Sequence, residues 1–283
     1  MPRAIVDSHI HFWDPARIRY PWLVNAPAIA GVHLPADLLS QTGDYDLQGI
    51  VFMEADCAPE DRMAEVAWVT ELAGQEPRIQ GIVASAAIER GEGVRDTLRT
   101  LTRDFPLVRG IRRLIQGEPP GFCLQPDFVH GVQLLPDYGL SFDICIYHPQ
   151  MADAIQLVSQ CPDVSFVLDH FGKPGVKAGL MQPWADQLRQ LAEYPNVQLK
   201  LSGLATEADH AHWTRDQLRP YIDRALAAFG VDRVFYGGDW PVSTQAITYP
   251  AWIATLEWAT GHLSDADRHK LFVENVRRFY RIA

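Results

Sequence analysis

The chain has 283 residues, of which 47% are hydrophobic, and a formal net charge of −10. That suffices for a large core, and α/β barrels of this size fold as one domain, expected here over residues 1–283. The acidic balance argues against nucleic acid or an anionic membrane as partner. No apolar run approaches the roughly 18 residues of a membrane span and no leader pattern opens the chain, so a cytoplasmic location is expected.

In chain order, short apolar, β-branched runs recur at 4–6, 49–53, 79–86, 108–115, 140–147, 164–168, 197–201 and 233–236. Helical patterns separate them. Val94, Leu98, Leu101 and Phe105 form one apolar stripe, Met151, Ile155 and Val158 a second, and Leu218, Ile222, Ala225 and Phe229 a third. Thr214 with Gln217, and Ser264 before Asp267, read as N-terminal caps, Gly230 as a helix stop, and 264–280 as a last helix. Eight strands each followed by a helix predict a TIM-like (β/α)8 barrel, with its chemistry at the C-terminal strand ends. Residues 12–46, rich in Pro and Trp, are too long for an ordinary βα loop and are expected to fold over the barrel mouth. Cys57, Cys123, Cys145 and Cys161 form no CxxC pair and suggest neither a disulfide frame nor a zinc knuckle.

The strand ends carry the chemistry. His9 and His11, two apart on extended backbone, point to one side and can reach one point in space. Later strand ends add Glu54 and Asp56, Arg112, Arg113 and Gln116, His148, Asp169 and His170, Lys200 and Ser202, and Asp239 and Trp240. Singly, each has an ordinary structural reading as a loop residue or a paired surface charge. So many ionisable groups at one rim are costly unless used.

Taken together, several motifs resemble those of the amidohydrolase superfamily. They are the run Val6 to Pro15 with its His-x-His, Arg109-Gly110-Ile111-Arg112, His148-Pro149, Asp169-His170-Phe171-Gly172-Lys173-Pro174, Lys200-Leu201-Ser202-Gly203-Leu204, Gly237-Gly238-Asp239-Trp240-Pro241 and Glu274 to Tyr280. The closer resemblance is to the branch of sugar-lactone and muconolactone-type hydrolases, of the fuconolactonase and rhamnonolactonase kind and related to 2-pyrone-4,6-dicarboxylate lactonase. It implies a distorted barrel, a water-activating aspartate at the end of strand eight, here Asp239, and a small-molecule sugar lactone as substrate. It also implies that His9 and His11, with His148 or His170 and Asp239, form a place for one divalent ion, usually zinc. Binuclear relatives carry a bridging lysine or glutamate at strand four, where this chain has Arg112 and Arg113. One ion at most is therefore expected, and some lactonases of similar pattern work without metal.

Lactone hydrolysis requires an activated water, a stabilised oxyanion and a proton for the leaving alkoxide. Asp239 is the expected base, with His148, His170 and Lys200 as further catalytic groups. Arg112, Glu54, Trp13 and Trp240 are expected around the substrate, the tryptophans offering flat faces to a sugar ring or else packing the cover. No Gly-x-Ser-x-Gly elbow is present, so no acyl-enzyme is expected. Two other readings compete: a metal-dependent decarboxylase of the same superfamily, and a non-catalytic binding barrel.

Overall fold

The computed structural model describes residues 3–283. Eight parallel strands pair in sequence order: β1 (Arg3–Ile10), β2 (Tyr45–Met53), β3 (Ile79–Ser85), β4 (Val108–Arg112), β5 (Ser141–Ile144), β6 (Phe166–Leu168), β7 (Val197–Leu201) and β8 (Val234–Tyr236). Their residues are almost all buried, because helices cover the outside while side chains fill the inside. Among the described residues the ring closes at its upper end only. There Asp239 N donates to His9 O and His11 N to Trp240 O, both at 2.8 Å.

The expected helices form. Arg95–Asp104 buries Leu98 and Leu101, Met151–Gln160 buries Met151, Ile155 and Val158, and Arg215–Phe229 buries Leu218, Ile222, Ala225 and Phe229. Thr214 Oγ accepts from Gln217 N, and Gly230 ends that helix at φ 69°, where a side chain would be strained. Ser264 caps the last helix by accepting from Asp267 N. That helix is not uniform: Lys270–Glu274 forms a widened turn between Asp265–His269 and Asn275–Tyr280. The widened turn packs against β1 and β8, the Phe272 ring 5.6 Å from that of Tyr236, with Leu271, Phe272 and Val273 buried. Tyr280 then reaches inside, its hydroxyl donating to Asp143 Oδ2 at 2.6 Å.

Residues 12–46 are tied down by indoles. Trp13 pairs its backbone with His33 in both directions, and its Nε1 donates to Ile29 O and Gly31 O at 3.1 and 2.9 Å. Trp240 Nε1 donates to Gln41 Oε1 at 3.1 Å, and Trp22 Nε1 to Ala55 O at 2.8 Å. An indole N–H that finds a carbonyl costs nothing to bury, so these rings anchor the segment by apolar area and hydrogen bond together. No helix among the described residues is long and apolar enough to cross a membrane, and all four cysteines are free and buried.

Candidate active site

Beyond β8 the chain must pass close to β1, and glycine permits it. A Cβ on Gly238 would lie 2.4 Å from Asp7 Oδ2, and one on Gly237 3.0 Å from His9 Cβ. Asp7 itself accepts from Gly238 N and His9 N, both at 2.9 Å, and from the Tyr249 hydroxyl at 2.8 Å, which locks the two strand ends together. Asp239 follows at φ 54°, a left-handed conformation that Asp tolerates better than most residues. A second left-handed run, His170, Phe171 and Lys173 at φ 52°, 58° and 49°, follows β6. Such residues cost roughly 1–3 kcal/mol each and persist where surrounding packing over-determines them. Here they carry His170 and Lys173 to the cavity wall.

The result is a convergence on one oxygen. His9 Nε2, His11 Nε2 and His170 Nε2 stand 3.7, 3.6 and 3.9 Å from Asp239 Oδ1. These separations exceed hydrogen-bond length. A tetrahedral zinc with ligand bonds of about 2.0–2.1 Å holds its ligand atoms about 3.3 Å apart, so a small contraction would bring the set onto an ion. His9, His170 and Asp239 form the compact group, with ligand atoms mutually within 4.8 Å. Their outer hydrogen bonds favour the same use. His11 Nδ1 faces Met53 O at 2.9 Å, which makes Nδ1 the donor and leaves Nε2 bare, while His170 Nδ1 pairs with Ser202 Oγ at 2.9 Å. The donor set therefore fits one divalent cation.

Electrostatics favour neutral His9 and His170 and an ionised Asp239. Burial, then the neighbouring Lys200 charge, hold His9 well below the ordinary histidine range, and burial does the same for His170. Burial pushes Asp239 up, but His170, His11 and Lys173 outweigh it and leave the carboxyl below its ordinary value. Neutral nitrogens beside an anionic oxygen are the protonation states that both a metal and a general base require.

The cavity above this cluster has a volume of about 190 Å³ and is lined by His11, Trp22, Asp56, Arg112, Gln116, Cys145, His170, Lys173, Thr206 and Asp239 among others. Arg112 is reached from below. Its Nε donates to Glu54 Oε1 and its Nη2 to Glu54 O, both at 2.6 Å, and its Nη1 lies 3.3 Å from His9 Nε2 and 3.4 Å from Asp169 Oδ2. Nearly all of its donors are thus committed to the floor. Lys173 is different: it shares one hydrogen bond with Gln116 Oε1 and forms no ion pair among the described residues, which leaves a cation with free donors at the cavity wall.

Several expected residues lie elsewhere. Lys200 is sealed in the barrel interior, donating to Asp143 Oδ2 at 2.6 Å and lying 3.0 Å from Asp169 Oδ1. Glu54 faces Arg112. His148 is in the loop after β5 and lines a neighbouring depression without joining the three converging histidines. Trp13 and Trp240 are fully buried and anchor residues 12–46, while Trp22 from the same segment reaches the cavity. Sequence reasoning passed over Trp22, Lys173 and Cys145; of these, Lys173 was visible only as part of the Asp169–Pro174 motif.

Comparison with known proteins agrees with this architecture. The amidohydrolase family model matches residues 6–282. An L-fucono-1,5-lactonase of Burkholderia multivorans is 31% identical over 293 residues, covering 98% of this chain and 96% of its own. An L-rhamnono-gamma-lactonase of Scheffersomyces stipitis is 24% identical, covering 98% of each. A crystal structure of a Burkholderia multivorans amidohydrolase with bound zinc superposes with a TM-score of 0.88 at 30% identity, over 99% of this chain and 100% of that one. With nearly its whole length matched in sequence and in fold, the chain belongs to the amidohydrolase family.

Proposed function

We propose that the protein hydrolyses sugar lactones to aldonic acids, with Asp239 as the base that activates water. The observation that carries this reading is the convergence of three imidazole Nε2 atoms on Asp239 Oδ1 within 3.6–3.9 Å, beneath a cavity that also holds Lys173. The names of the lactonase relatives support the reaction class.

Asp239 accepts a proton from water as the water oxygen bonds to the lactone carbonyl carbon. The carbonyl oxygen, gaining negative charge, turns to Lys173, whose donors are free where those of Arg112 are not. As the tetrahedral centre collapses and the ring C–O bond breaks, Asp239 returns its proton to the leaving alkoxide. His9, His11 and His170 with Asp239 would hold a divalent ion, which when bound supplies Lewis-acid polarisation of the oxygen facing it. Trp22 narrows the entrance, the role proposed for residues 12–46 as a cover, and Thr206 and Asp56 offer partners to ring hydroxyls.

The deciding experiment is a pH-indicator screen of aldonolactones on metal-stripped and zinc-loaded protein side by side. Acid release with unchanged carbon count supports the reading; CO2 release, or no turnover in either form, defeats it.

A further inference from the structure

Lys173 separates the cavity from a second depression of about 430 Å³, walled by Tyr147, His148, Gly175, Leu180 and Glu207. Lys173 lines both spaces and stands between them, its Nζ 5.2 Å from the centre of the Tyr147 ring. Tyr147 and Leu180 are 45% and 46% exposed, two of the few large apolar side chains left outside the core. Beside them are two polar groups with no hydrogen-bond partner among the described residues, the His148 imidazole and the Glu207 carboxylate. The width of the depression depends on a glycine. A Cβ on Gly175 would stand 3.1 Å from Leu180 Cβ and 3.3 Å from His148 Nε2, so any side chain there would intrude between its walls.

An aromatic ring and an aliphatic side chain flanked by uncommitted hydrogen-bonding groups suit a pyranose, whose C–H face packs on apolar surface while its hydroxyls turn to polar partners. The shared wall at Lys173 places that ring beside the one undergoing hydrolysis. We propose that the depression is a second sugar subsite and that the substrates include lactones carrying a second pyranose ring. The assignment of the first ring rests on the lactonase reading above. The reacting ring occupies the cavity over Asp239, and the non-reacting ring lies on Tyr147 with hydroxyls toward His148 and Glu207.

The test compares lactobionate with gluconate by calorimetry, and their lactones by turnover, in wild type, Gly175→Val and Tyr147→Ala. Lactobionate is expected to bind wild type about tenfold or more tightly than gluconate, with the same ratio in kcat/KM for the lactones. Both variants should lose that preference, and Gly175→Val should do so while its affinity for gluconate and its turnover of the gluconate lactone stay as in wild type. Equal affinity for the two acids in wild type, or a preference that survives both substitutions, overturns the proposal. Failure of the lactonase reading looks different: neither lactone releases acid, yet the binding preference and its loss in the variants remain.

Discussion

Lys200 Nζ donates to Asp143 Oδ2 at 2.6 Å with both side chains fully buried, so this lysine neutralises the barrel interior and does not line the cavity. Removing one partner of such a pair typically costs about 3–5 kcal/mol, because the other charge is left unpaired in a poor solvent. Lys200→Met is therefore expected to lower the denaturant midpoint sharply, while the folded fraction keeps a near-normal KM. Undiminished stability with a raised KM would instead put Lys200 at the substrate.

Asp239→Asn keeps size and shape but cannot take a proton from water. Turnover should fall by about 10²–10⁴-fold, the usual weight of a positioned acid–base group, with circular dichroism unchanged. Near-wild-type kcat would sink the base assignment.

Lys173→Met tests the carbonyl donor. Loss of a charge-assisted hydrogen bond of about 1.5–3 kcal/mol lowers kcat/KM about tenfold or more, chiefly in kcat if the bond strengthens as the oxyanion forms. Arg112→Met should act differently. Its donors go to Glu54, so the expected loss is mainly in stability, and unaltered kinetics in Lys173→Met would remove Lys173 from the oxyanion role.

The metal assignment has a readout apart from activity. Zinc titrated into metal-stripped wild type should bind at one equivalent and raise Tm, since a ligand that binds only the folded state stabilises it. His9→Ala or His170→Ala should abolish that shift, whereas His148→Ala should leave it intact. A loss in His148→Ala would restore that residue to the ligand set.

Much of this was legible in sequence because the physical signal was local. The run 197–201 becomes β7 with its bounds unchanged, since Val197, Leu199 and Leu201 alternate with Gln198 and Lys200 at the two-residue period of a strand. His9 and His11 share a face by the two-residue period of a strand. The run 140–147, by contrast, leaves the ladder after Ile144, because Cys145 O turns to accept from both Ile115 N and Gln116 N at 3.0 Å, a pairing no apolar pattern encodes. Lys200 and Lys173 are equally plausible from composition. Which one reaches the cavity depends on depth along β7 and on the left-handed turn after β6. Trp13 and Trp22 were indistinguishable for a like reason: the position of each ring follows from which carbonyl accepts its N–H, Ile29 and Gly31 for one and Ala55 for the other.

Glu65 supplies a pH signature. Its Oε1 accepts from Ala55 N at 3.2 Å, its Oε2 is buried without a partner, and burial, then the Glu54 charge, push its carboxyl from an ordinary 4.5 to about 8. The folded state thus holds a proton that the unfolded chain releases. The associated stability is complete at acid pH and is lost as pH rises through the folded value. Between those two values the slope should approach about 1.4 kcal/mol per pH unit. Glu65→Gln, uncharged throughout, should become progressively more stable than wild type from pH 5 to about 8 and hold a constant lead above it. Parallel denaturation curves at all pH values would contradict this.

The seam between β8 and β1 also bears on how the protein is made. Asp7 and Gly238, whose hydrogen bond fastens it, are 231 residues apart. Until strand eight has left the ribosome the nascent chain carries His9 and His11 without the carboxylate they surround. The Asp143 carboxylate waits longer still for its hydrogen bond from the Tyr280 hydroxyl. Contacts of such separation form late, after their loop-closure entropy has been met by nearer pairings. Under the role proposed for Asp239, the site is therefore assembled only as the fold nears completion, and a chain stalled before residue 239 would lack the proposed base.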